Sequence, residues 1–423
     1  MLFFRNFAVL CGTLTFLSLT LCAHEASAAH YKPKTLHSFC DGAQNCPDGR
    51  TPNAALVMDS AGNLFGTASQ GGSVGAGTVF ELQPNQERTK WKFRVIHDFC
   101  PDLKCNDGEQ PQASPLIRDV AGNLYGEALR GGSTGGGVVF RLSPSATGNK
   151  WKFKALYNFG SEQGDGSGPT GGLTYVGAAT GALYDGVSTL FGTTQVGGNA
   201  MNAGTVFALS QGSGEKSWSE SVLFAFCSQD QCIDGKTPAG VVANSLGVLF
   251  GTTSTNIFQL SQTDGVWSET VLHSFCSEAN CADGANSLAP PVIDASGYLY
   301  GTTSEWGLFQ NAGVVFKLIP NGTSSQYSVI YSFCPEGCSQ GSMPFSGVVL
   351  DSSGDLFGTA TQSEKSGCVF EIKDGSYKMI YSFSGDDGAS PEGGLLLDSS
   401  GDIFGTTFGG GASGEGTVFE LRR

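Results

Sequence analysis

Short apolar segments separated by tight turns and glycine-rich loops recur along the chain. The first complete unit has four such segments, at 56–58, 63–68, 77–82 and 91–99. The turn between the first two, 59–62, begins with Asp and ends with Gly, which suits a type I turn followed by a bulge. The fourth segment alternates apolar and polar residues, which is typical of a half-buried strand. We therefore predict a unit of four antiparallel strands, A to D.

The centre of strand B, an apolar residue followed by an aromatic residue and glycine, occurs seven times. The copies end at Gly66, Gly126, Gly192, Gly251, Gly301, Gly358 and Gly405. Successive glycines are separated by 47 to 66 residues, and self-similarity in this range is typical of repeat architectures such as propellers. The unequal spacing reflects loop differences, including an insertion between strands A and B of the third unit, at 175–188.

The two ends of the chain carry complementary fractions of a unit. A copy of strand D lies at 31–39, before any strand A, whereas the last unit stops after strand C, at 417–421. Circular closure completes the last sheet and removes its exposed edges, whereas an open solenoid would need caps that the sequence lacks. We predict an all-β fold, a seven-bladed β-propeller of four-stranded antiparallel blades closed by the N-terminal strand, with 29–423 as one domain.

The N-terminal segment 1–28 has the features of a secretory signal peptide. Arg5 precedes a mostly apolar stretch at 7–22, and Ala26-Ser27-Ala28 fits a cleavage site. A retained membrane anchor is the alternative, although the apolar run is short for a membrane span. We predict a secreted or periplasmic protein with no membrane span in the mature chain.

Cysteine usage also indicates export. Cys11 and Cys22 fall within the predicted signal peptide, and ten of the other eleven cysteines form close pairs directly after strand D. The pairs are Cys40 with Cys46, Cys100 with Cys105, Cys227 with Cys232, Cys276 with Cys281, and Cys334 with Cys338. The loops after Phe159 and Phe383 lack both cysteines together, as a covalent bond within each pair predicts. Zinc is the alternative, but one pair supplies only two ligands and the loops lack histidine. Cys368 stands alone and is expected to be a small buried residue.

Composition restricts the partners. The formal net charge is −15, which disfavours nucleic acid because that affinity depends on Lys and Arg neutralising phosphates. An acidic surface is compatible with cations, neutral glycans or simple solubility. We expect a monomer that binds a glycan or an extracellular protein, with no cofactor and no bound metal.

In antiparallel blades the D-to-A and B-to-C loops share one side, here named the loop face, and the short A-to-B turns share the other, the turn face. Long loops on a rigid scaffold usually carry binding residues, so we predict a ligand site on the loop face. An aspartate before a glycine recurs there, either as a ligand for a cation or sugar hydroxyl or as a turn former. These residues are Asp48, Asp107, Asp165, Asp234, Asp283 and Asp387.

Trp306 and Phe309 lie on the predicted loop face, in the fifth B-to-C loop and outside the repeat register. Such an aromatic residue can stack on a sugar ring or a partner side chain; alternatively, it covers the apolar underside of its own loop. His37, His97 and His273 share a strand D position that other blades fill with Tyr or Phe. This exchange predicts flat, partly buried side chains rather than catalysts.

The repeated unit Asp-x-x-Gly-x-Leu-Phe/Tyr-Gly-Thr-Thr, followed by Gly-Gly and then Gly-Thr-Val-Phe-x-Leu, resembles the GloVer-type tandem repeat of secreted bacterial "choice-of-anchor" proteins. The resemblance covers about 31–423, in seven copies, and implies an exported repeat protein. This chain departs from the family by showing no C-terminal anchor. The resemblance supplies no reaction and no catalytic residues.

Three functions therefore compete: a binding module, a propeller hydrolase or lyase acting on polysaccharide, and a structural protein of the cell envelope. No nucleophile elbow, zinc-protease motif or phosphate-binding loop is present, so no catalytic residue is predicted. An enzyme would need acidic and basic groups that break the repeat and converge on the central channel.

Overall fold

The strands of the computed structural model follow the repeat. The structure describes residues 31–42, 45–212, 217–309, 311–335 and 337–423. The predicted signal peptide at 1–28 lies outside the described residues. Within them, 28 strands form seven antiparallel sheets of four strands each, and no α-helix occurs. The protein is an all-β, seven-bladed β-propeller, as the repeats predict.

The strands are as follows, in chain order. β1 is Lys32–Ser38. Blade 1 contains β2 (Val57–Met58), β3 (Leu64–Ala68), β4 (Thr78–Pro84) and β5 (Trp91–Asp98), and blade 2 contains β6 (Ile117–Arg118), β7 (Leu124–Ala128), β8 (Val138–Pro144) and β9 (Trp151–Asn158). Blade 3 contains β10 (Gly166–Thr174), β11 (Leu190–Gly197), β12 (Thr205–Gln211) and β13 (Trp218–Ala225), and blade 4 contains β14 (Val241–Ala243), β15 (Leu249–Thr252), β16 (Asn256–Thr263) and β17 (Val266–Ser274). Blade 5 contains β18 (Val292–Ile293), β19 (Leu299–Thr303), β20 (Val314–Ile319) and β21 (Gln326–Ser332), and blade 6 contains β22 (Val349–Leu350), β23 (Leu356–Ala360), β24 (Cys368–Lys373) and β25 (Ser376–Ser382). Blade 7 contains β26 (Leu396–Leu397), β27 (Ile403–Thr407) and β28 (Thr417–Arg422). Single 3-10 turns occur at Ala178–Thr180, Asp230–Cys232 and Ala279–Cys281.

The N-terminal strand closes the ring. β1 pairs antiparallel with β28, from Lys32 opposite Arg422 to Ser38 opposite Thr417, and the seventh sheet has the order β1-β28-β27-β26. The predicted closure is confirmed. The last sheet therefore combines residues from both ends of the chain.

The glycine of each strand B lies directly opposite a phenylalanine of strand C. Gly66 pairs with Phe80, and a Cβ on Gly66 would lie 2.6 Å from the Phe80 ring. The same pairing joins Gly126 to Phe140, Gly192 to Phe207, Gly251 to Phe258, Gly301 to Phe316, Gly358 to Phe370 and Gly405 to Phe419. In all seven pairs the added carbon would approach the ring to less than 3.0 Å. The motif therefore requires glycine because the neighbouring ring occupies the space of a side chain.

A second phenylalanine links each blade to the next. Phe39, the residue directly after β1, contacts Phe80 of blade 1 with ring centroids 5.3 Å apart. The other blade junctions repeat this contact through Phe99 and Phe140, Phe159 and Phe207, Phe226 and Phe258, Phe275 and Phe316, Phe333 and Phe370, and Phe383 and Phe419. These contacts are edge-on or tilted, the geometries that aromatic rings prefer. The hydrophobic core thus lies between the blades, at every junction of the ring.

Strand D departs from the strict alternation expected from its sequence. In β5, Val95 pairs with Phe80 and His97 pairs with Val79, so Ile96 is an extra residue. All seven D strands have a register shift at this place. Such a bulge bends and twists a strand. It also explains why two apolar residues stand side by side here, since Ile96 packs against the core between blades 1 and 2.

Removal of 31–38 should abolish the single cooperative melting transition, because β28 would become an exposed edge. Calorimetry and circular dichroism would measure this. As a control, the same segment should be moved behind Arg423 through a two-residue Asn-Gly hairpin, which should restore the sheet and the transition. A deletion variant that melts as sharply and at the same temperature as the wild type would contradict closure by β1.

Gly405→Ala should lower the free energy of unfolding by about 1–3 kcal/mol, because its methyl group would overlap the Phe419 ring. Gly409→Ala is the matched control in the same blade, since the nearest atom to a Cβ there is 3.6 Å away. Chemical denaturation would compare the two variants. Equal effects would show that the ring over Gly405 does not determine the choice of glycine.

Candidate functional site

The D-to-A and B-to-C loops of a blade contact each other on the loop face. In blade 1, the Arg50 amide donates to the Gln70 carbonyl at 2.8 Å, and the Gln70 amide donates back at 3.2 Å. The two loops approach so closely that a Cβ on Gly71 would lie 2.7 Å from the backbone of Gly49. The Gly-Gly loops therefore permit close backbone contact, and the loop face has a rigid foundation.

Five local disulfides close the cysteine loops, as the cysteine pairing predicts. They join Cys40 to Cys46, Cys100 to Cys105, Cys227 to Cys232, Cys276 to Cys281, and Cys334 to Cys338. Cys368 is buried and unbridged, and burial raises the pKa of its thiol to about 12. Disulfides of this kind are typical of proteins in oxidising compartments outside the cytoplasm.

The six repeated aspartates turn their carboxylates into their own loops. Asp48, Asp107, Asp165, Asp234, Asp283 and Asp387 each accept a hydrogen bond from a backbone amide just after strand D. Asp283 accepts from both the amide and the hydroxyl of Ser277, at 3.0 and 2.9 Å. Burial alone would raise the pKa of Asp283, but these hydrogen bonds hold it below its usual value. These contacts match the role of a loop-stabilising aspartate and occupy at least one carboxylate oxygen of each residue.

The three strand D histidines lie between a loop aspartate and a ring of the next blade. His37 Nε2 lies 2.8 Å from Asp48, and its ring stacks on Phe93 with centroids 3.8 Å apart. The other two sets are His97 with Asp107 and Phe153, and His273 with Asp283 and Tyr327. Burial lowers the pKa of His273 despite its carboxylate neighbour. These side chains are flat packing groups between blades.

Trp306 and Phe309 lie together on a loop that is fixed at both ends. Glu305 exchanges backbone hydrogen bonds with Ala285, and the Trp306 carbonyl accepts from Gly313 at 2.8 Å. Trp306 is partly buried and has φ +61°. Phe309 is 37% exposed, and the adjacent Leu308 is 70% exposed. The fifth B-to-C loop thus presents a small apolar patch, here named the 306–309 patch, beside backbone that these hydrogen bonds hold in place.

The turn face carries a cleft that sequence reasoning did not assign. A cavity of about 560 Å³ lies beside the blade 3 insertion, at Ala179 and Thr180, and extends to Leu246 and Tyr298 on the turns of blades 4 and 5. The insertion is anchored by Tyr184, whose side chain is fully buried. The insertion was the only feature of the sequence that could have indicated this cleft. The turns that complete the cleft belong to other blades and lie far from the insertion along the chain.

The central channel contains a mainly apolar cavity of about 220 Å³. Its lining includes Pro290 and Phe345, and Glu392 is the single carboxylate among the described residues that line it. Burial raises the pKa of Glu392. The channel therefore presents one carboxyl group rather than the acid and base pair that polysaccharide hydrolysis commonly uses.

Glu127 is a departure from the repeat that the sequence analysis missed. It replaces the threonine that follows the motif glycine in the other blades. Its Oε2 accepts from Ser114 Oγ at 2.8 Å and from the Gly172 amide at 3.1 Å, whereas Oε1 has no partner. Burial raises the pKa of Glu127 to about 7. The break in the Gly-Thr-Thr pattern at Gly126-Glu127 is the signal that could have found it.

No group of three or more potential metal ligands converges within the described residues. In the same part of the chain, no helix has the length and apolar character needed to cross a membrane.

The chain belongs to the Gloeobacter/Verrucomicrobia repeat family, whose model matches residues 23–189, 93–307 and 289–423. The extracellular domain of a proposed one-component system from B. thetaiotaomicron is similar in structure, with a TM-score of 0.51 at 10% identity. That match covers 92% of this chain but only 39% of the other chain. A proposed gluconolactonase aligns over 93% of both chains at 10% identity, with a TM-score of 0.43. No curated protein matches the sequence. At this identity the structural likeness shows the fold alone.

Replacement of Cys100 and Cys105 by serine should lower the free energy of unfolding by about 2 kcal/mol, because a short loop is no longer constrained in the unfolded chain. Denaturation without reductant would measure this. Cys368→Val, which removes an unbridged cysteine, is the control and should have a smaller effect. Mass spectrometry of the unreduced protein should find five local bridges, and free thiols at Cys100 and Cys105 would contradict this pairing.

Proposed function

We infer that this protein is an exported binding module that takes a neutral glycan on the loop face, through the 306–309 patch. The observation that carries this inference is a partly buried Trp306 beside the exposed Leu308 and Phe309, on a loop outside the repeat register. An aromatic side chain in such a position is not part of the packing that the seven blades share. Its presence in a surface loop therefore favours contact with a ligand.

The surrounding backbone supports this role. The Gly307 amide donates to the Cys281 carbonyl at 3.0 Å, and the Leu308 amide donates to Ser332 Oγ at 2.9 Å. The patch therefore rests on a disulfide-closed loop on one side and on strand β21 on the other. A ligand would pay little conformational entropy to order such a loop, which favours affinity.

The charge of the protein favours a neutral ligand. A net charge of −15 opposes anionic polysaccharides and nucleic acids, whereas stacking of a sugar ring on an aromatic face needs no opposite charge. Export is supported by the five disulfides and by the N-terminal sequence pattern.

An extracellular protein is the second candidate ligand. The high exposure of Leu308 favours it, because an aliphatic side chain adds little to sugar stacking but contributes to the apolar centre of a protein interface. A hydrolase or lyase has weaker support, since one carboxylate lines the channel cavity. A purely structural envelope protein would not need the exposed patch.

Trp306→Ala should reduce binding on an array of neutral glycans by about tenfold or more, which corresponds to about 1.4 kcal/mol. Leu246→Ala is the matched control, since it removes an exposed apolar side chain from the turn face. Unchanged melting temperatures would show that both variants are folded.

Equal binding by Trp306→Ala and the wild type would remove the patch from the site. If no glycan binds but an extracellular protein is captured in a manner that requires Leu308, the second candidate would replace the first. Release of shortened glycans from the array would instead indicate an enzyme.

A further inference from the structure

Two blade junctions carry a glutamate where four others carry a stacked aromatic ring. Four residues before the histidine or tyrosine of strand D, Phe93, Phe153, Tyr327 and Tyr377 stack on the preceding blade. Blades 3 and 4 have Glu220 and Glu269 at the same position, facing the junctions that carry Tyr157 and Phe224. The repeat thus replaces an apolar ring by a carboxyl group at two adjacent junctions.

The aromatic junctions show which loop a side chain at this position faces. The Tyr327 hydroxyl reaches the loop aspartate of its junction and donates to the Asp283 carbonyl at 2.6 Å. Glu269 occupies the position of Tyr327 one blade earlier, and Asp234 occupies that of Asp283. Glu269 is close enough to Asp234 for their charges to interact, and Glu220 has the same relation to Asp165.

Unpartnered carboxylate oxygens occur in these two junctions on both members of each pair. Asp234 is completely buried, and its Oδ2 accepts from the amide and hydroxyl of Ser228 at 2.7 Å, while Oδ1 has no partner. Oε1 of Glu269 is likewise buried without a partner. The pair Asp165 and Glu220 repeats this arrangement through Oδ1 and Oε1. Of the six loop aspartates, only these two have a buried orphan oxygen among the described residues.

We propose that each pair, Glu220 with Asp165 and Glu269 with Asp234, shares one proton, so that a carboxyl–carboxylate hydrogen bond joins neighbouring blades in a pH-dependent manner. The protonated glutamate donates its O–H to Oδ1 of the aspartate, which satisfies both orphan oxygens at once. When the proton leaves to solvent, two buried carboxylates face each other and the junction is weakened.

A proton fits these junctions better than a metal ion. Calcium requires six to eight oxygen ligands, whereas no cluster of three or more acidic, histidine or cysteine ligands occurs within the described residues. The charged groups that raise the pKa of Glu220, after burial, are Asp165 and Glu162, and for Glu269 the charged group is Asp234. Tyr157 is a further titratable neighbour at the junction of blades 2 and 3, and its hydroxyl donates to Asp165 at 3.0 Å. Burial, with these carboxylates, raises the pKa of both glutamates to about 7.

The raised pKa values of the two glutamates determine how the stability of the folded protein depends on pH. A carboxyl group with a raised pKa binds its proton in the folded state up to a higher pH than in the unfolded state. Between about pH 4.5 and 7 each of these glutamates therefore holds more protons in the folded state, so its contribution to stability falls as pH rises through this window and is lost above it. The junction of blades 2 and 3 should open more readily, because its loop at 160–165 has no disulfide.

The test compares the melting temperature of the wild type and of Glu220→Gln/Glu269→Gln between pH 5 and pH 8. The glutamine amide donates to the aspartate at every pH, so the variant should lose less stability across this range, by about 2 °C or more. Glu127 and Glu392 also have raised pKa values, but both proteins retain them. A second variant, Glu220→Phe/Glu269→Phe, restores the ring of the other junctions and should show the same flattened profile.

Infrared spectroscopy provides an independent readout, since the C=O stretch of protonated carboxylic acid at pH 6 should be weaker in the glutamine variant. Superimposable pH profiles and equal infrared bands for wild type and variant would overturn the proposal. It would also be overturned if calcium at pH 8 raised the melting temperature of the wild type but not of the glutamine variant, which would identify a cation site.

Discussion

The glycine of each strand B and the two phenylalanines that meet beside it determine how the seven blades pack. Without a side chain at Gly66, the ring of Phe80 can lie over strand B, and Phe39 of the preceding blade can then contact that ring. The same aromatic contact recurs at each of the seven blade junctions. Because every junction uses the same three residues, each blade is stabilised mainly by its two neighbours, and an open end would leave one such set incomplete.

Closure by β1 completes this set of residues at the junction of blades 7 and 1, where the two ends of the chain meet. Phe39 directly follows β1 in the sequence and completes the core between blades 7 and 1. The two ends of the chain are therefore held together by a sheet ladder and by an aromatic contact. The D-strand bulge assists at every blade, because it places an additional apolar side chain against the core between neighbouring blades.

The loop face is held by a different set of forces. Short disulfides, aspartate carboxylates and paired loop backbones fix the connections, so their polar groups are largely used within the loops. Specific features of this protein consequently lie where the repeat is broken. Leu308 and Phe309 are exposed beside Trp306 at one such break, and Glu127 is buried at another. The blade 3 insertion forms one wall of a cleft on the turn face. The two glutamates at the blade 3 and blade 4 junctions belong to the same class of departures.

The sequence by itself determined the number of blades, the four strands of each, the closure by 31–39 and the five disulfides. These follow from local, repeated signals, because an apolar pattern, a turn residue or a cysteine pair predicts the same local structure in every copy. The contact of the motif glycine with a phenylalanine ring, the bulge in strand D and the proximity of Glu269 to Asp234 were decided only by the tertiary structure. Each depends on which residue of another strand or blade lies opposite, and a single sequence does not contain that register. The same limit applies to the turn-face cleft, since its walls come from three blades and meet only when the ring has closed.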